Sequence, residues 1–298
     1  MRAAANGIEL EYESAGDPDS PAVLLIMGLG TQMTRWPSAL VDTLVARGFR
    51  VIRFDNRDVG LSTRIEAAGP PDMGAVMQAV RTGGVPPVAY GLTDMAEDAV
   101  GLLDALGVDK AHIVGASMGG MIAQLIAALH PGRTMSLTSI MSTSGNPDMP
   151  RASDAALAVL GAPRPDDDDV EAIIERAAHG AAILGSPAYP VDPEVRRAAA
   201  LADYRRAYYP VGAARHMAAI ATAEDRRPLL RTIAAPTIVI HGSADPLVRV
   251  EGGRDTARNI PDAVMMEIPG MGHDIPEPLI PMIADAITEV ARRATGAG

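Results

Sequence analysis

Ser117 stands between two glycines in Gly115-Ala116-Ser117-Met118-Gly119, after the β-like run His112-Ile113-Val114 and before a helical pattern running through Gln124, Leu125 and Leu129 to Pro131-Gly132. A serine in so sharp a strand-to-helix turn lifts its hydroxyl above the sheet edge. Side chains at 115 and 119 would collide with the neighbouring strand and helix. The helix that follows aims its free amides at a developing oxyanion. Gly-x-Ser-x-Gly alone is a common accident, but between a strand and a helix it is a strong signal for a nucleophile. A hydroxyl needs a base to take its proton, and the base needs an acid to orient it. Ile238-Val239-Ile240-His241-Gly242-Ser243-Ala244-Asp245 places Asp245 just past a strand, and Ile268-Pro269-Gly270-Met271-Gly272-His273 places His273 in a glycine-rich loop past the next. Both fall at the carboxyl ends of strands, where open α/β sheets hold their sites. The pattern predicts a Ser117–His273–Asp245 triad working by covalent acyl transfer.

The competitors are weaker. Of the six histidines, His112 starts a strand, while His130, His179 and His216 fall in helices or their caps, which are ordinary structural places. His241 lies directly at a strand end and precedes the acid, which is the wrong order. Asp148, after the strand-like run Met135 to Met141, is the main rival acid, and Asp274 is too close in sequence to His273 to reach its ring.

Two backbone N–H groups are expected to form the oxyanion hole: that of Met118, next to the nucleophile, and that of Leu29, in the loop Met27-Gly28-Leu29-Gly30 that follows the apolar run Ala22 to Met27. Trp36 and Met33 flank that loop and are expected to line an apolar substrate pocket.

These groups need a scaffold. The apolar run Ala22 to Met27 has the continuous hydrophobicity of a strand buried on both faces. Asn6-Gly7 before the alternating Ile8 to Tyr12 suggests a hairpin at an antiparallel edge. Further strands are predicted over Phe49 to Asp55, Ala111 to Val114, Met135 to Met141, Pro236 to His241 and Ala263 to Ile268, with helices near Pro37 to Arg47 and from about Thr93 to Gly107. Alternating strands and helices imply a parallel sheet. The stretch from Asp148 to Arg231 contains no convincing strand and has helix starts at Asp166 to Asp169 and at Asp192-Pro193. It is read as a helical cap (148–231) inserted into a core formed by 1–147 and 232–298. The four consecutive aspartates are read as helix N-terminal acids and not as a metal site.

Composition narrows the partners. The formal charge of −11 argues against nucleic acid, whose phosphates need a basic face, and Lys110 is the only lysine. The absence of cysteine removes disulfides, thiolate metal sites and a cysteine nucleophile. Met1 to Asn6 does not read as a secretory signal, and no apolar run approaches the roughly 20 residues of a membrane span. The expectation is a cytoplasmic protein acting on a small molecule, with no metal and no cofactor.

Together these features resemble the α/β-hydrolase family along the whole chain. Asp55-Asn56-Arg57-Asp58-Val59-Gly60-Leu61-Ser62 looks like that family's loop after the third core strand. Thr93 to Asp98, running into Leu102 to Gly107, is similar to its helix before the nucleophile strand, and Pro269 to His273 resembles its histidine loop. Within the family the resemblance is to aclacinomycin methylesterase-like and enol-lactonase-like enzymes. It implies a mostly parallel sheet with helices on both faces and cofactor-free hydrolysis of an ester or lactone. Met27 is a departure, because many members carry histidine there. Serine in the elbow speaks against epoxide and haloalkane hydrolysis, while perhydrolysis and carbon–carbon bond hydrolysis stay open.

Two other classes compete. Gly28-Leu29-Gly30 after a strand, with Asp55 ending the next, partly matches a dinucleotide-binding fingerprint, but Met33 stands where the third glycine belongs. A non-catalytic ligand receptor on the same fold is also compatible with the motifs, since fold does not dictate function.

Overall fold

The computed structural model describes residues 1–296. The chain opens with β1 (Arg2–Ala5) and β2 (Ile8–Ala15), paired antiparallel across Asn6 and Gly7. Both turn residues have positive φ, 48° and 78°, as a tight two-residue hairpin turn requires. Then come β3 (Ala22–Ile26), α1 (Ser38–Ala46), β4 (Arg50–Phe54), α2 (Met73–Thr82), α3 (Leu92–Ala105), β5 (Ala111–Ala116), α4 (Met118–Leu129) and β6 (Thr134–Ile140). Five helices follow: α5 (Asp154–Gly161), α6 (Val170–Leu184), α7 (Pro193–Arg206), α8 (Pro210–Ala221) and α9 (Arg227–Leu230). The chain finishes with β7 (Thr237–Gly242), α10 (Val250–Asn259), β8 (Val264–Ile268) and α11 (Ile280–Thr295).

The eight strands form one sheet in the order β1-β2-β4-β3-β5-β6-β7-β8. Pairing is antiparallel at β1–β2 and β2–β4 and parallel from β4 onward. The two-residue alternation of a strand explains the two cores. Leu24 and Ile26 of β3 join Ile52, Phe54 and Ile113 beneath α3 and α4, while Val23 and Leu25 join Val51 and Val114 beneath α1 and α11. The continuous apolar run at 22–26 therefore reflects burial on both faces.

β6 and β7 are hydrogen-bonded neighbours, and the helical segment 148–231 lies between them in the sequence. Its helix starts are chemically plain. Asp169 caps α6 by accepting the Ala172 N–H, and Asp192 caps α7 by accepting the Glu194 N–H, with Pro193 in the first turn. One of the four consecutive aspartates thus serves as a cap. Helices α2, α5, α8, α9, α10 and α11 have no counterpart among the helices expected from sequence. Among the described residues no helix is long and apolar enough to cross a membrane.

Candidate active site

Ser117 sits between the last residue of β5 and the first of α4 with φ 56° and ψ −120°, a left-handed conformation that an L-residue holds only under constraint. The constraint is visible. Its N–H donates to the Ile140 carbonyl at 2.9 Å, and the Ser142 hydroxyl donates to its carbonyl at 2.8 Å. The flanking glycines are required by contact: a Cβ on Gly115 would lie 2.0 Å from the Gly119 carbonyl oxygen, and one on Gly119 would lie 2.1 Å from the Ile26 carbonyl oxygen. The elbow is therefore wedged against the end of β3.

His273 Nε2 lies 2.9 Å from Ser117 Oγ, and His273 Nδ1 lies 2.7 Å from Asp245 Oδ2. The other oxygen of Asp245 accepts the N–H groups of Leu247 and Val248 at 2.8 and 2.9 Å. Burial alone would raise the Asp245 pKa, but the imidazoles of His241 and His273 beside it outweigh burial and bring it down to about 2. His241, fully buried, donates from Nε2 to the Val248 carbonyl at 2.7 Å and lies 3.5 Å from Asp245 Oδ2. It props the acid's turn and does not approach the serine's place in the line.

The histidine loop is held from the helical segment. The His273 N–H donates to the Leu184 carbonyl at 2.7 Å, and the Gly272 N–H donates to Ser186 Oγ at 2.8 Å. The Ser186 hydroxyl in turn donates to Asp274, while both ring nitrogens of His273 are engaged with Asp245 and Ser117. Asp148, the rival acid, donates its backbone N–H to Asn146 Oδ1 at 3.0 Å, and among the described residues no hydrogen bond joins its carboxylate to His273.

On the other side, Gly28 is so close that an added Cβ would sit 3.1 Å from Ser117 Cβ and 3.6 Å from Oγ. The loop carrying Leu29 therefore borders the nucleophile, and Met118 opens α4 beside it. Such a site lets an imidazole take the hydroxyl proton as oxygen attacks a carbonyl, with amides near the charge that develops.

A model of the alpha/beta hydrolase fold matches residues 21–277. The chain belongs to that family. The hydrolase is 30% identical to rhodomycin D methylesterase DnrP of Streptomyces peucetius, over 97% of this chain and 96% of that protein. It is 32% identical to a putative carbamate hydrolase, RutD, of Variovorax paradoxus, over 89% of each. Its backbone matches the crystal structure of the enol-lactonase from Burkholderia xenovorans LB400 with a TM-score of 0.73 at 23% identity, covering 97% of this chain and 99% of that one, a likeness of fold.

The pocket residues expected from sequence are placed differently from the triad. Trp36 has no exposed surface and packs with Leu40 and Leu44 in the core beneath α1. Met33 is 1% exposed, and its N–H donates to Asp55 Oδ1 at 2.8 Å. Neither offers surface to an open cavity: Met33 opens a short 3₁₀ turn that Trp36 closes before α1 begins. Asp55 also accepts the Leu61 N–H and pairs with Arg206 at 2.7 Å, so the acid that suggested a ribose site is fully engaged in structure. Ser142 and Ser186 are not singled out by the sequence, His216 reads there as an ordinary helical histidine, and His241 is weighed there as a rival base. Only His241, four residues before Asp245, carried a local signal.

Proposed function

We propose that this hydrolase cleaves a carboxylic ester or lactone of a small, fairly apolar molecule through an acyl-enzyme. Ser117 Oγ attacks the carbonyl carbon while His273 Nε2 takes its proton. Asp245 holds the ring in the Nδ1–H tautomer and stabilises the imidazolium. The N–H groups of Leu29 and Met118 stabilise the oxyanion. His273 then protonates the leaving alcohol, and a water deprotonated by His273 releases the acid and regenerates Ser117. Ester and water go in, acid and alcohol come out, and no cofactor enters the balance. The observation that carries this reading is the unbroken line Asp245–His273–Ser117, with contacts of 2.7 and 2.9 Å.

The 30% identity to a methylesterase supports an ester of a small alcohol. In this reading segment 148–231 is a cap that bounds the substrate space, and the protein works in the cytoplasm. A panel of p-nitrophenyl esters, methyl esters and lactones of varied acyl size tests it. Turnover should follow acyl shape and vanish after fluorophosphonate treatment. A protein inert to the whole panel, or active after complete labelling, overturns the proposal.

A further inference from the structure

The loop that borders Ser117 is tied from outside the core by a histidine to which the mechanism above gives no task. Residues Gly28 to Thr31 form a turn: the Thr31 N–H donates to the Gly28 carbonyl at 3.2 Å, and Gly30 at its third position has φ 61°. A turn with a positive third φ differs from its common alternative by a flip of the central peptide, here Leu29–Gly30. Both polar ends of that peptide are held. The Thr31 hydroxyl donates to the Leu29 carbonyl at 3.0 Å, and the Gly30 N–H donates to His216 Nδ1 at 3.1 Å.

His216 belongs to α8 and is fully buried. Its Nε2 lies 2.8 Å from the Arg57 carbonyl. A carbonyl can only accept and an amide N–H can only donate, so the ring carries its proton on Nε2 and offers a lone pair at Nδ1. Burial, opposed only in part by the bond to the Arg57 carbonyl, holds its pKa down to about 4. The acceptor is thus present at neutral pH. The anchor behind it is firm. Arg57 is paired with Asp98 through Nε and Nη2, both at 2.6 Å, and Arg215, one residue before His216, grips Asp58 with two contacts of 2.8 Å. The approach is also close, since a Cβ on Gly30 would lie 2.9 Å from Ala213 Cβ in the same helix.

We propose that His216 is a positioning residue for the oxyanion hole: its Nδ1 fixes the Leu29–Gly30 peptide and so restrains the turn that carries the preceding Gly28–Leu29 peptide, whose N–H is the second donor. The proposal rests on the hydrolytic reading and on Leu29 as the second donor. A free Gly30 N–H lets the turn reorient, and a displacement of about 1 Å takes a donor out of register with an oxyanion at a cost of roughly 100-fold in rate. The helical segment therefore supplies part of the precision of bond cleavage as well as a wall for the substrate.

Two substitutions separate this role from mere packing. Asparagine at 216 puts an acceptor oxygen near the place of Nδ1 and loses the Arg57 contact. Glutamine puts a donor near Nε2 and leaves the Gly30 N–H without an acceptor. On the best p-nitrophenyl ester, His216→Gln should lower kcat by about 10- to 100-fold with KM within about twofold, and should slow fluorophosphonate capture in parallel. His216→Asn should recover most of both. Equal losses in the two variants, a loss confined to KM, or a wild-type kcat in His216→Gln overturns the proposal. If neither variant folds by circular dichroism, Thr31→Val decides, because it frees the other end of the same peptide from a partly exposed position. A kcat lowered severalfold at unchanged KM supports the clamp, and an unchanged kcat removes it. A wild-type protein inert to esters and fluorophosphonate overturns the hydrolytic reading along with this one, whereas an active wild type with an unaltered His216→Gln overturns this one alone.

Discussion

Asp245 holds His273 by one carboxylate oxygen, 2.7 Å from Nδ1, and gives the other oxygen to the amides of its own turn. The acid is thus fixed before it orients the base. Asparagine here would present an amide whose hydrogen-bonding pattern favours the wrong imidazole tautomer. Asp245→Asn should lower kcat by about 10⁴-fold with little change in melting temperature. Asp148→Asn, which touches no part of the line, should stay within about threefold of wild type. Steady-state kinetics on one activated ester checks both, and the reverse ranking would move the acid to the strand after the nucleophile.

Ser117 is predicted to be the sole site of covalent capture. A fluorophosphonate should add one adduct to the wild-type mass and none to Ser117→Ala. Because the strained backbone at 117 is held through its own N–H, by the Ile140 carbonyl, and its own carbonyl, by the Ser142 hydroxyl, the alanine variant should fold as the wild type does. Persistent labelling of Ser117→Ala would place the nucleophile elsewhere.

What could be read from sequence has a common cause. Gly115, Gly119 and the continuous apolar run at 22–26 are dictated by contacts a few ångströms long, so their residue types betray their roles. Asp245 and His273 could be found because each follows its own strand. His216 could not, because its task comes from a partner 186 positions away, the Gly30 N–H, and nothing local marks a helical histidine as an acceptor for a distant loop. Trp36 and Met33 are singled out for nearness in sequence to the Gly28 loop, and the structure buries both side chains.

His112 makes a prediction about acid. It is 1% exposed, hydrogen-bonds with Ser136 Oγ at 2.9 Å and meets the edge of Phe49. Burial lowers its pKa from the ordinary 6.5 to about 4. Between those values the unfolded chain binds the proton and the folded one does not, so stability is complete above pH 6.5 and falls as the pH drops through the window. At pH 4.5 the loss should reach about 2 kcal/mol from this residue alone. His112→Asn, which retains a partner for Ser136, should be slightly less stable than wild type at pH 7 but should lose about 2 kcal/mol less between pH 7 and 4.5. Urea unfolding at the two pH values measures this, and an identical loss in both proteins would refute it.

Replacing the helical segment gives the last prediction. The proposed triad lies outside 148–231, yet two loops of the proposed site, one of the triad and one of the oxyanion hole, are held from within that segment: the His273 loop by the Leu184 carbonyl and Ser186 Oγ, and the Gly30 turn by His216. A segment from another family member that lacks counterparts of Ser186 and His216 should change the preferred ester and also lower kcat toward small, activated esters. Restoring the serine and the histidine in that chimaera should bring back kcat on the activated ester by about tenfold or more while the new acyl preference is kept. Chimaeras must first be shown to be folded and monodisperse, because an exposed core face would aggregate and imitate inactivity. Recovery of the original preference along with kcat would mean that the two residues act on substrate fit. Full activity without them would show that the core loops hold their catalytic geometry unaided.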